Sequence, residues 1–277
     1  MPTAKVNDVR LAYQLQGTGP ISVVLVHGSW SSRRNWDLVV PALARQFRVL
    51  TYDRRGHSES ERPPAQGSVH EDAADLALLL ETLRLAPAFV VGNSFGGSIA
   101  LRLAGQRPDL LRGVLAHEPP LFRLLGGDAH FTPMLAEVDR RVRAVAQRIA
   151  SGDHEGAARQ FAETVALGPG TWAQLPEESR RTMIQNAPTF LDETRDPDAL
   201  VIDAGELRRF TGPVLLTKGD QSPPTFAPVI ARLAAALPQA EVVTLPGAGH
   251  VPQLTHPELY VDTIAGFVRR HAAAEPR

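Results

Sequence analysis

The chain of 277 residues predicts an α/β fold: a mostly parallel central sheet flanked by helices, interrupted by one all-helical insert. Three observations carry that prediction. Short runs rich in Val, Ile and Leu recur, nearly continuous in apolar residues, as in strands buried on both faces. Helical patterns separate these runs, which is how a parallel sheet with helices on both sides reads. One stretch, residues 121–210, holds no convincing strand and breaks the alternation.

The elements follow in order. Residues 4–15 read as a β-hairpin turning at Asn7-Asp8. The buried strands are ISVVLVHG (21–28), FRVLTYD (47–53), AFVVGN (88–93), LRGVLAHE (111–118), GPVLLTKG (212–219) and AEVVTLPG (240–247). Helical patterns cover 70–85, 95–106, 224–237 and 256–271, with Pro228 in the tolerated first turn of the third. The insert reads as helices over 133–150, 153–167, 176–187 and 196–208, with Ser151-Gly152-Asp153 as turn and cap between the first two. This divides the chain into a core, 1–120 with 211–277, and an insert, 121–210. A strandless insert of that length has a function of its own, and a lid over an active site is one. An accessory packing subdomain is the plainer alternative.

Composition narrows the function classes. Apolar residues make up 43% and charged residues 21%, ordinary for a soluble globular protein. The formal net charge of −1 argues for neither nucleic acid nor an anionic membrane surface. The absence of cysteine excludes disulfides, thiolate metal sites and a cysteine nucleophile. The start, MPTAKVNDVR, has no apolar core of a signal peptide, and no apolar run reaches the ~18 residues of a membrane span. A cytoplasmic location and a monomer or homodimer are expected.

The sharpest chemical signal is VVGNSFGGS (90–98), with Gly92-x-Ser94-x-Gly96 between a strand and a helix. A chain turning that sharply holds Ser94 in a strained conformation that lifts its Oγ above the sheet, a nucleophile elbow. A serine hydroxyl needs a base. His250, in LPGAGHVP just past the last strand, is the best placed of nine histidines. His27 in VHGSW fixes its loop rather than acting as base, and His57, His117 and His256 read as structural or solvated. The developing oxyanion needs N–H donors. These are the N–H groups of Phe95, after the nucleophile, and of Ser29 in the early loop, with Trp30 as the alternative.

Together GNSFGG, HGSW, YDRRGHSES (52–60) and GAGH resemble the α/β-hydrolase superfamily, in its serine-nucleophile branch, over nearly the whole chain. The resemblance implies an α/β-hydrolase fold with 121–210 as a helical cap, acyl chemistry, and no metal or cofactor. Epoxide hydrolases and haloalkane dehalogenases carry Asp at the elbow, so Ser94 sets this chain apart from them. The resemblance also implies an acid after the strand 212–219, in the pattern Gly-x-x-Asp. Here Gly219-Asp220-Gln221-Ser222 puts serine at that position and Asp220 two residues early. Glu118, in VLAHEPPLF at the neighbouring strand end, is the other candidate. Its placement resembles that in the zearalenone lactonases, with Asp220 kept as the alternative acid.

The expected activity is cleavage of a moderately hydrophobic small-molecule ester or lactone through an acyl-enzyme. Trp30, Phe122, Phe131, Trp172, Met183 and Phe190 are candidates to line the pocket, though cap core is an equally good reading of each. Carbon–carbon bond hydrolysis, or a lyase or cyclase of secondary metabolism, remains open on the same site, as does a non-enzymatic small-molecule receptor.

Overall fold

The computed structural model describes residues 1–272. Eight strands form one sheet: β1 (Thr3–Val6), β2 (Val9–Gln16), β3 (Ser22–Val26), β4 (Arg48–Tyr52), β5 (Ala88–Asn93), β6 (Leu111–His117), β7 (Val214–Gly219) and β8 (Ala240–Leu245). Their order is β1-β2-β4-β3-β5-β6-β7-β8. Within the first hairpin β1 and β2 are antiparallel, β2 alone runs against the other strands, and β3 to β8 are mutually parallel. Asn7 and Asp8 turn the hairpin with φ 44° and 63°, the paired positive values of the tight turn that matches strand twist.

The central strands owe their place to burial on both faces. Every residue of β5 is buried, as are Val23 to Val26 of β3 and Val214 to Thr217 of β7. One layer of core joins Val24, Val26, Leu50 and Val90 to the helices α2 (Val69–Thr82) and α3 (Phe95–Gln106). The other joins Val23, Leu25, Phe89 and Val91 to Tyr260, Ile264 and Phe267 of the last helix. β8 differs from the expectation of two buried faces. It is the edge strand, and its Glu241 and Val242 face solvent.

The remaining helices are α1 (Val40–Leu43), α4 (Thr132–Ala150), α5 (His154–Phe161), α6 (Thr171–Gln174), α7 (Glu177–Arg195), α8 (Ala204–Leu207), α9 (Phe226–Ala236), α10 (Pro252–Thr255) and α11 (Pro257–Ala272). Among the described residues, 121–210 contain no strand, and none of the helices is long and apolar enough to cross a membrane. Three local expectations change. The helix expected at 153–167 continues past Phe161 as a π-turn, Ala162–Ala166. The helix expected to stop at 187 runs on to Arg195 with Pro188 inside it. The helix expected at 196–208 shrinks to the single turn α8.

Tertiary bonds explain how α7 survives its proline. Asn186 accepts from the Ser58 N–H (2.8 Å) and donates to the Ser31 carbonyl (2.8 Å). Thr189 meets His57 Nε2 at 3.0 Å. These anchors on either side of Pro188 outweigh its local cost, since packing decides most helix boundaries.

His27 ties the loop after β3 to the loop after β4. Its Nδ1–H donates to the Gly28 carbonyl (2.8 Å), and its Nε2 accepts from the Arg54 N–H (3.0 Å). Burial, then the Arg54 charge, pushes its pKa from 6.5 down to about 3. The folded state therefore holds His27 neutral while the unfolded chain takes up a proton below about pH 6.5. Its contribution to stability is present above that pH and lost as pH falls toward 3. Urea unfolding across a pH series should show the stability gap between the protein and His27→Gln shrinking by about 1.4 kcal/mol per pH unit below 6.5. A pH-independent gap would contradict this account of His27.

Candidate active site

The site forms where β5, β6 and β7 end side by side. At the tip of β5 the chain turns directly into α3, and Ser94 sits at the turn with φ 54° and ψ −125°. A Cβ on Gly92 would lie 2.2 Å from the Gly96 carbonyl oxygen, and one on Gly96 2.2 Å from that of Val26. The two glycines are thus what lets the chain turn this tightly. The Ser94 N–H is fixed by the His117 carbonyl at 2.8 Å.

Glu118 leaves β6 at φ 47° and is fully buried. Its own N–H donates to the Thr217 carbonyl (3.1 Å). Its Oε1 accepts from the Gly219 N–H (2.8 Å), and its Oε2 accepts from His250 Nδ1 (2.7 Å). Burial pushes the carboxyl up. The hydrogen bond and charge of His250, then the neighbouring His117 and Ser222, outweigh burial, and the net shift is downward.

The His250 loop is held from three sides. Asn93 Nδ2 donates to the His250 carbonyl (2.8 Å), and Gln253 Nε2 donates to Asn93 Oδ1 (3.0 Å). The Phe226 ring stacks on the imidazole at 4.4 Å. With Nδ1 committed to Glu118, Nε2 is the nitrogen left to act on a substrate.

His117 also belongs to this cluster. Its Nε2 donates to the Gly249 carbonyl (3.3 Å), its Nδ1 accepts from Thr217 Oγ1 (2.9 Å), and burial lowers its pKa to about 4. It is therefore neutral at neutral pH and braces the chain just before His250. The ligand atoms of His117, Glu118 and His250 lie within 4.8 Å of one another, the spacing of a metal site. Each residue is already committed through one of these hydrogen bonds: His250 to Glu118, and His117 to Gly249 and Thr217.

Asp220 lies away from this cluster. It is exposed, and its Oδ1 accepts from the Gly247 N–H (2.8 Å) and Gln221 Nε2 (3.2 Å). It ties its own loop to the turn after β8. Ser222, at the Gly-x-x-Asp position, buries its hydroxyl beside Glu118.

Ser94, His250, Ser29 and Phe95 line one cavity of about 1200 Å³. Gly28 brings the early loop against Ser94: a Cβ there would meet Ser94 Cβ at 2.9 Å. Among the described residues, neither the Ser29 nor the Phe95 N–H donates to another backbone or side-chain group. No hydrogen bond joins Ser94 Oγ to His250, and such bonds commonly tighten only when substrate binds.

Of the expected pocket residues, Phe122 and Phe190 face the cavity. Trp30, Phe131, Trp172 and Met183 do not. Trp30 takes φ 64° and packs in the insert, stacking on Phe161 (5.0 Å) and meeting the Phe190 ring at a tilt (5.1 Å). Trp172 and Met183 pack at the edge of that same cluster, and Phe131 packs against the main core. The sequence reading missed Phe161, Phe226 and Glu193, all on the cavity wall. Phe226 had one signal, its place four residues after Ser222. Glu193 had none, being one carboxylate in a polar helix.

The model of the alpha/beta hydrolase family matches residues 23–263. The 2-(acetamidomethylene)succinate hydrolase of Mesorhizobium japonicum is 25% identical over 95% of this chain and 93% of its own. The sn-1-specific diacylglycerol lipase of Mus musculus is 29% identical, covering 89% of this chain and 80% of its own. Among solved structures, a thermophilic esterase from Thermogutta terrifontis superposes with a TM-score of 0.78 at 26% identity, covering 98% of this chain and 100% of that one. Motifs, sheet order and family match agree: the chain belongs to the alpha/beta hydrolase family.

Proposed function

We propose that this protein is a serine hydrolase that cleaves a carboxylic ester or lactone through an acyl-enzyme, with residues 121–210 as its cap. One observation carries the reading: the fully buried Glu118 accepts a 2.7 Å hydrogen bond from His250 at the wall of the cavity that holds Ser94.

Ser94 Oγ attacks the substrate carbonyl carbon while His250 Nε2 takes its proton. The carbonyl π electrons move to oxygen, and the N–H groups of Ser29 and Phe95 hold the oxyanion. Glu118 fixes the tautomer and stabilises the imidazolium without taking its proton. The intermediate collapses, the carbon–oxygen bond to the alcohol breaks, and His250 returns the proton to the departing oxygen. Water then enters and its oxygen bonds the acyl carbon as His250 takes its proton; the bond from that carbon to Ser94 Oγ breaks, His250 returns the proton to Oγ, and the acid is released.

The wall favours a moderately hydrophobic small molecule, since Phe122, Phe161, Phe190 and Phe226 line the cavity that Ser94 also lines. The Mesorhizobium relative is by name a hydrolase of 2-(acetamidomethylene)succinate. That compound therefore belongs in a substrate panel beside p-nitrophenyl esters and lactones.

Two tests follow. A fluorophosphonate probe should add one label per chain, at Ser94 by peptide mass, and Ser94→Ala should lose both labelling and turnover. Turnover that survives Ser94→Ala would point instead to lyase or cyclase chemistry. Glu118→Gln should lower kcat by about 10⁴, as amidating a triad acid does, while Asp220→Asn changes kcat little. The reverse ranking would remove Glu118 from the triad.

A further inference from the structure

Glu193 lies on the last turn of α7, in the insert, yet points into the floor of the cavity. Its side chain is only 9% exposed. Its Oε2 accepts from the Ser29 hydroxyl (2.5 Å), and its Oε1 accepts from Arg54 Nη1 and Nη2 (3.1 Å each). Arg54 in turn grips Asp72 through Nε and Nη2 (3.2 and 2.7 Å). The Arg54 guanidinium also lies 4.6 Å over the Phe95 ring. One guanidinium thus joins two carboxylates and an aromatic face in a nearly dry space.

The two residues this relay touches are the two whose N–H groups serve the oxyanion in the proposed reaction. Ser29 is held by its hydroxyl, and Phe95 by its ring. An isolated buried carboxylate is costly. Burial pushes the Glu193 carboxyl up, and Arg54 and the Ser29 bond only partly offset it. A carboxyl group placed at such cost against the Ser29 loop calls for a structural or catalytic return.

We infer that Glu193 is a positioning residue for the oxyanion hole: from the cap helix it holds Ser29 directly and, through Arg54, braces Phe95. The inference rests on the serine-hydrolase reading. It makes the geometry of both donors depend on α7 being docked. Donors displaced from the oxyanion lose most of their effect, because preorganisation supplies it. Ground-state binding in the apolar part of the cavity does not pass through this relay.

The test uses p-nitrophenyl butyrate as substrate and an aryl trifluoromethyl ketone as a tetrahedral analogue. Glu193→Ala should lower kcat by about 10- to 100-fold, short of or near the ~10²–10³ for losing a donor outright. KM should stay near its starting value, and the ketone's Ki should rise by the same factor as kcat/KM falls. Glu193→Gln, whose carbonyl still accepts from Ser29, should recover part of the loss. Ser29→Ala, a small change that keeps the backbone, should lower kcat alone, and adding Glu193→Gln to it should cost less than in the parent chain. That double variant carries the test if Glu193→Ala does not fold. Unchanged kcat and Ki in Glu193→Ala with only a lower melting temperature would overturn the inference, as would full additivity with Ser29→Ala. A parent protein that neither turns over esters nor takes the fluorophosphonate label would overturn the hydrolase reading itself. An active parent with an indifferent Glu193 would overturn the inference alone.

Discussion

The hydrogen bond between Glu118 and His250 is the constraint around which the rest of the site is arranged. The Glu118 carboxylate at the tip of β6 is shut off from bulk solvent, and removing one partner of such a buried pair costs about 3–5 kcal/mol. Both oxygens therefore need donors inside the protein. His250 supplies one and the Gly219 N–H the other. The second donor comes from the loop after β7, where the family pattern would put the acid itself. That loop supplies an amide that holds Glu118, and Ser222 stands beside it. Glu118 must leave its strand at φ 47° to reach this place, and Pro119 and Pro120 limit where the chain goes next.

The same economy of buried polar groups joins the insert to the core. Along α7, Asn186, Thr189 and Glu193 follow one another at helical spacing and bind the loops after β3 and β4. Helices α4 and α5 then pack on α7 through Val145, Ile149, Ala157 and Phe190, with Trp30 reaching up from the core. The polar row sets where the insert sits, because each bond is directional. The apolar cluster above it supplies area burial, which is not directional. The cavity is the space left between these two layers and the strand ends.

Much of this was legible because the physics is local. Strands buried on both faces must be apolar throughout, so β3, β5, β6 and β7 stood out as continuous runs. The elbow needs small residues on each side of Ser94, and the two glycines showed it. Glu118 drew notice as a spare carboxylate one strand away from a serine that stands where a carboxylate was expected, and it does bond His250. The misses were tertiary. Pro188 argues for a helix end, and only the bonds of Asn186 and Thr189 to distant loops carry α7 past it. Trp30 stands next to Ser29 in sequence, but it takes a positive φ and packs in the insert's core. Glu193 is one acid among several in α7, and nothing short of the fold distinguishes it from a solvated one.

The central claim is that His250 is bonded to Glu118 and to no other acid. Proton NMR of the exchangeable imidazole signals tests it most directly, with His250→Gln used to assign the resonance. The account predicts a far-downfield Nδ1–H signal that persists in Asp220→Asn and moves upfield or disappears in Glu118→Gln. A signal that survives Glu118→Gln unchanged and is lost in Asp220→Asn would contradict it.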